Sequence, residues 1–98
     1  MEDFFVYILY SRTLDRFYTG LTALPVEERL QNHIDKKYSR LNFTQKANDW
    51  VLFFSILCKS ISQARMIELH IKKMKSKVYI LNLKKYTSIS EKLIEKYA

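Results

Sequence analysis

Glycine, proline and cysteine each occur only once in these 98 residues. So little glycine and proline argues against long flexible linkers and low-complexity segments. The single cysteine, Cys58, allows no intrachain disulfide, which fits a reducing, cytoplasmic location. It also argues against structural zinc, which wants about four Cys and His ligands at tight spacing. Cys58 follows an apolar run and reads as a small buried hydrophobe. No apolar stretch approaches the roughly 18 residues that span a bilayer, so no membrane partner is expected. The opening Met1-Glu2-Asp3 is not a basic region ahead of a long apolar one, and no signal peptide is expected. A glycine-rich phosphate loop, a serine nucleophile elbow and a paired-histidine metal motif are also missing.

Acidic charge is scarce in one half only. Residues 1–56 carry seven Lys/Arg and seven Asp/Glu, whereas residues 57–98 carry ten and three, which is the whole net charge of +7. A one-sided basic excess suits a polyanion, because neutralising phosphates releases condensed counterions. The same charge would serve as a solvated helix face, or meet an acidic protein or a membrane surface.

The length suits one domain over residues 1–98, and the 48% apolar content suits a globular one. Phe4 to Tyr10 is a run of aromatic and branched residues, the pattern of a strand buried on both faces. Ser11 to Arg16 is turn-like, and Phe17-Tyr18-Thr19-Gly20 reads as a second strand ending at Gly20, completing an antiparallel hairpin. Pro25 suits the first turn of a helix, with Glu27 and Glu28 favouring its dipole. Val26, Leu30 and Ile34 would form its apolar stripe, beside Arg29 and His33 on a neighbouring face. Lys36 to Asp49 reads as a loop and Trp50 to Leu57 as a third strand. Ser60 and Gln63 fit a capping box opening a helix to about Lys75, with Ala64, Ile67, Ile71 and Met74 inward. Tyr79 to Leu83 suits a short helix, and Ser88 and Glu91 a second capping box ahead of Leu93, Ile94 and Tyr97. The expected fold is α+β: a small three-stranded antiparallel sheet flanked by helices, in the order β-β-α-β-α-α with a core over about 4–83 and a last helix over about 88–97.

Five polar residues in this layout could carry chemistry together. Tyr7 and Tyr18 lie on paired strands eleven residues apart, Arg29 and His33 are one helical turn apart, and Glu68 sits beside an apolar stripe. Phenol and imidazole relay protons, guanidinium holds a phosphate oxygen, and a carboxylate holds a metal. Each also has a plainer reading. The tyrosines could be sheet packing, Arg29 and His33 helix-edge residues, and Glu68 a partner for Lys72 four residues on.

Phe5-Val6-Tyr7, followed by Tyr18-Thr19-Gly20, resembles the paired signature of the GIY-YIG nuclease family. Glu28-Arg29-Leu30 with His33, Asn48-Asp49-Trp50, and Ala64 to Glu68 followed by Ile71-Lys72 and Lys75 resemble its later segments in order. The chain is most similar to small stand-alone members related to the N-terminal catalytic domain of the nucleotide-excision nuclease. Phe5 stands where the family has its first glycine, Thr19 where it has Ile, and Leu21 where the excision subgroup carries Lys.

The resemblance implies a metal-dependent endonuclease that hydrolyses phosphodiester bonds in DNA, with DNA repair or recombination as its setting. No separate recognition domain is expected within 98 residues, so sequence specificity would be low unless a protein partner supplies it. Under the resemblance, Glu68 would hold one Mg²⁺ or Mn²⁺ with waters filling the other positions. Arg29 would bind the attacked phosphate, and Tyr7 or Tyr18 would help activate water, which of them being left open. His33 would assist proton transfer or orient a tyrosine, Gly20 would let the backbone come close, and Asn82 would support the site. Lys72, Lys75 and Lys77, with Lys73, Lys84 and Lys85, would contact phosphates of the nucleic acid. A nucleic-acid-binding module that keeps the fold without cutting, or a basic protein-interaction domain, are the alternatives.

Overall fold

The computed structural model describes residues 4–23 and 49–98. The expected helix opening at Pro25, with Val26, Glu27, Glu28, Leu30 and Ile34, lies outside the described residues, as do Arg29, His33 and the loop from Lys36 to Asn48.

Three strands form one antiparallel sheet: β1 (Phe4–Ser11), β2 (Arg16–Thr22) and β3 (Trp50–Cys58), in the order β2-β1-β3. β1 is central, which explains its unbroken apolar run: Val6 and Ile8 are buried in a core on one face, Tyr7 and Leu9 in a second core on the other. β2 does not end at Gly20 but runs on to Thr22, because Phe5 and Val6 still offer ladder partners to Thr22 and Leu21. β3 extends to Cys58, which is buried as expected of a small hydrophobe. Burial pushes the Cys58 thiol up, away from the reactive thiolate.

The turn between β1 and β2 is held from a distance. Ser11 Oγ donates to Asp49 Oδ1 at 2.6 Å, and the Thr13 amide and hydroxyl both donate to Asp49 Oδ2 at 2.8 Å. Those donors hold the Asp49 carboxyl down at about 2. Asp15 closes the turn at φ 50, a left-handed conformation that Asp tolerates better than most residues.

Three helices follow: α1 (Ile61–Met74), α2 (Lys77–Lys85) and α3 (Thr87–Lys96). Ser60 caps α1 by accepting from the Gln63 amide at 3.1 Å. The return bond of the expected capping box shifts by one residue: Gln63 Oε1 accepts from the Lys59 amide at 2.7 Å, not from Ser60. Gln63 Nε2 also donates to the Ile94 carbonyl at 2.9 Å, so one buried side chain caps α1 and ties it to α3. Ala64, Ile67 and Ile71 face the first core with Val6 and Ile8. Met74 departs from that expected stripe. It falls in the last turn, where the chain reverses through Lys75 at φ 48, and is left 45% exposed. The second expected capping box does not form either. α3 starts at Thr87 with no side-chain cap, and the Ser90 hydroxyl donates back to the Thr87 carbonyl at 2.9 Å. Leu93 is buried, with Ile94 and Tyr97 packed against the same core. Among the described residues no helix is long and apolar enough to cross a membrane.

His70 joins the three helices. Its Nδ1 shares a 2.9 Å hydrogen bond with the Tyr97 hydroxyl, and its ring lies 6.0 Å from that of Tyr79. Burial, then the charges of Lys96 and Lys73, hold the His70 pKa below the ordinary 6.5. A base whose folded pKa is lowered favours the folded state above its unfolded value, and that stability is lost as pH falls through 6.5 toward the folded value. Urea unfolding should therefore show lower stability at acid pH than at neutral pH, with a shallower dependence in His70→Gln protein. Equal dependence in both proteins would place the titration elsewhere.

Candidate functional site

The two signature tyrosines meet through the register of the hairpin. Tyr7 pairs with Gly20 and Leu9 with Tyr18, so Tyr7 and Tyr18 are diagonal neighbours on one face. Their ring centroids are 6.3 Å apart, and Tyr18 also meets the Trp50 ring edge-on at 6.5 Å. Tyr7 is only 1% exposed. At Gly20 the strand comes close to the Tyr7 ring across the hairpin. A Cβ built there would sit 2.5 Å from Tyr7 Cζ and 2.9 Å from Cε1, and would overlap the hydroxyl. Gly20 is the space in which the Tyr7 phenol lies.

Glu68 projects from α1 beside its apolar stripe and is 6% exposed. Its carboxylate is not turned into the apolar core: Oε1 lies 3.5 Å from Arg65 Nη1 and Oε2 3.6 Å from Lys72 Nζ. Both distances exceed the roughly 2.7–2.9 Å of a tight charge-assisted hydrogen bond. The oxygens therefore keep coordinating capacity. Among the described residues no group of three or more His, Cys, Asp and Glu could gather round a metal. One carboxylate completed by waters and substrate phosphate is nevertheless a donor set that Mg²⁺ takes, so Glu68 fits.

A groove of about 390 Å³ runs along the β2 edge, between β2 and the junction of α1 with α2. Arg16, Lys72, Lys75 and Lys77 line it, with Tyr18 and Thr19 on the strand side. The groove thus brings the β2 backbone at Tyr18 and Thr19 up to the Lys72 that reaches Glu68, while the Tyr18 ring packs with Tyr7 and Trp50 on the second core. Lys77 is partly committed already, donating to Asp15 Oδ2 at 2.8 Å. Lys84 and Lys85 lie instead over the rings of Phe53 and Tyr86, and Lys73 and Asn82 are not among the groove-lining residues. Tyr10 and Tyr79 have their pKa values raised, Tyr10 by its bond to Asp15 and Tyr79 by burial, which suits neither to the role of a base.

Two residues that organise this region carry little signal in the sequence. Asp49 reads there only as the entry to β3, yet it anchors the hairpin turn. Phe53 gives no signal beyond its place in an apolar run, because a bulge between strands distant in sequence leaves no local mark.

A three-stranded antiparallel sheet, a helix carrying a buried carboxylate at its edge, and a basic groove along the β2 edge define a small α+β protein. The GIY-YIG catalytic domain matches residues 3–86, and the chain belongs to the GIY-YIG endonuclease family. No curated protein and no solved structure matches the chain.

Proposed function

We propose that this protein is a metal-dependent endonuclease that hydrolyses phosphodiester bonds in DNA with low sequence specificity. The observation that carries the proposal is the basic groove that runs from the edge of β2 to Lys72, the cation that reaches Glu68. Arg16, Lys72, Lys75 and Lys77 would hold backbone phosphates, which gives affinity without reading sequence. Glu68 would hold Mg²⁺ or Mn²⁺, and the bound ion would supply Lewis-acid polarisation and a more acidic water. Arg29 would stabilise charge on the attacked phosphate, as guanidinium does through paired donors. Tyr18 would accept or position the proton of the attacking water, with Tyr7 fixing its ring and His33 assisting transfer. A phenol with a pKa near 10 needs its pKa lowered for that task, which the bound metal or nearby cations would do. A cytoplasmic location, a role in DNA repair or recombination and a protein partner that directs the cut belong to the same reading.

A second reading, a binding module that no longer cuts, draws on one observation: Arg65 and Lys72 already lie within ion-pair reach of Glu68. Nicking of supercoiled plasmid separates the two. The nuclease reading expects relaxation with Mg²⁺ or Mn²⁺ and none with chelator. Arg29→Ala should keep the fold and lower turnover by roughly 10²-fold, the scale of losing one donor to developing charge. Unchanged turnover would place Arg29 outside the site, and no nicking under any metal condition would favour the binding module.

A further inference from the structure

The lysines of the second half do not share one surface. Lys72, Lys75 and Lys77 line the groove, whereas Lys84 Nζ lies 4.7 Å above the Phe53 ring. The register of β1 with β3 passes from Ile8↔Phe54 to Leu9↔Leu52, so Phe53 is an extra residue without a cross-strand partner. Such a bulge re-aims a side chain. Here the Phe53 ring meets Phe17 edge-on at 5.0 Å, and Phe17 packs on Tyr10 at 4.9 Å. One ring from each strand therefore forms a row near the β1–β2 turn. Beside the row lies a second cavity of about 330 Å³, lined by Tyr10, Asp15, Phe17, Phe53, Lys77 and Leu81. Lys77, Leu81 and Lys84 are spaced by four and three on α2, so one face of that helix borders the row. Phe17 and Lys77 line both cavities, so the two lie side by side.

We propose that this aromatic cavity accepts one unpaired nucleobase of the strand whose phosphates lie in the basic groove. The inference rests on the nucleic-acid reading above and adds a substrate class to it. Aromatic rings stack any base, and lysines on either side suit the flanking phosphates. Asp15 at the cavity wall accepts from the Tyr10 hydroxyl and from Lys77, one bond to each oxygen, and its second lone pairs remain for base N–H groups. A volume of about 330 Å³ is at the small end for ligand pockets and has room for a nucleobase. A base inside a duplex has its faces covered by neighbours, so the cavity selects strands with an unpaired or extruded nucleotide beside the groove.

The test compares labelled oligodeoxythymidylate with a duplex of equal length, using parent protein and Phe53→Leu, which keeps apolar bulk and removes the ring. Single-strand affinity should fall about tenfold and duplex affinity should stay within about twofold. Equal losses on both, or none on the single strand, would overturn the proposal. A second measurement stands if the variant does not fold: parent protein titrated onto single strands carrying 2-aminopurine at successive positions should quench the bound position by stacking. No quenching at any position overturns the base site. Parent protein that binds duplex and nicks plasmid yet shows no quenching loses only this inference, whereas parent protein that binds neither strand form loses the nucleic-acid reading as well.

Discussion

Glu68→Gln protein is expected to lose metal-dependent nicking by roughly 10²–10³-fold while keeping its fold, the scale seen when a group that stabilises reaction charge is removed. The two halves of that expectation have separate causes. Gln keeps the volume of a side chain that is 8% exposed, so packing beside the α1 stripe is preserved. The lost ion pairs involve Arg65 and Lys72 side chains that are 65% and 49% exposed. Pairs with such solvated cations contribute about 0–1 kcal/mol, so the unfolding midpoint should change little. The amide cannot replace the carboxylate as a charged metal ligand. Nicking rates with titrated Mn²⁺, read beside a thermal melt, check both halves. Parent-like nicking by the variant would remove Glu68 from the metal site, and a large loss of stability would make the carboxylate structural instead.

Gly20→Ala should destabilise the protein by about 1–3 kcal/mol, the cost of inserting a methyl group into a filled core. The added Cβ meets the Tyr7 ring, and that ring is confined within the cluster of Leu9 and Trp50. In a domain of this size each kcal/mol lowers Tm by roughly 4–8 °C. The phenol must also shift, so nicking should fall even where the variant is folded. A double-mutant cycle with Tyr7→Leu identifies the cause, because the cost of the alanine should largely disappear once the ring is gone. An undiminished cost in the Tyr7→Leu background would mean that Gly20 serves the backbone rather than the ring.

Much of the fold is legible along the chain because its signals are local. The Phe4–Ser11 run, the helical stripe of Ala64, Ile67 and Ile71, and the Ser60 cap each depend on residues within a few positions. The tyrosine pair is legible for a similar reason, since a hairpin has few registers available to two strands joined by a short turn. The details that differ are those where a local pattern has no tertiary support. Met74 continues the stripe but sits where the chain reverses, and Ser88 and Glu91 spell a cap that α3 does not use. Arg29 and His33 remain expectations of the sequence and its family resemblance.

The sequence by itself determined the kinds of elements, the sign of the charge and the residues able to handle protons, phosphate or metal. Only the tertiary structure decided which of them share a surface. Lys72, Lys75 and Lys77 line one groove while Lys84 covers the Phe53 ring, although all four come from the same basic stretch. Gly20 is a cavity for Tyr7, and Phe53 is turned by a bulge against Phe17. Periodicity records the face a residue takes on its own helix or strand. The angle and register at which distant elements pack arise from contacts between them, and those contacts settle what each face meets.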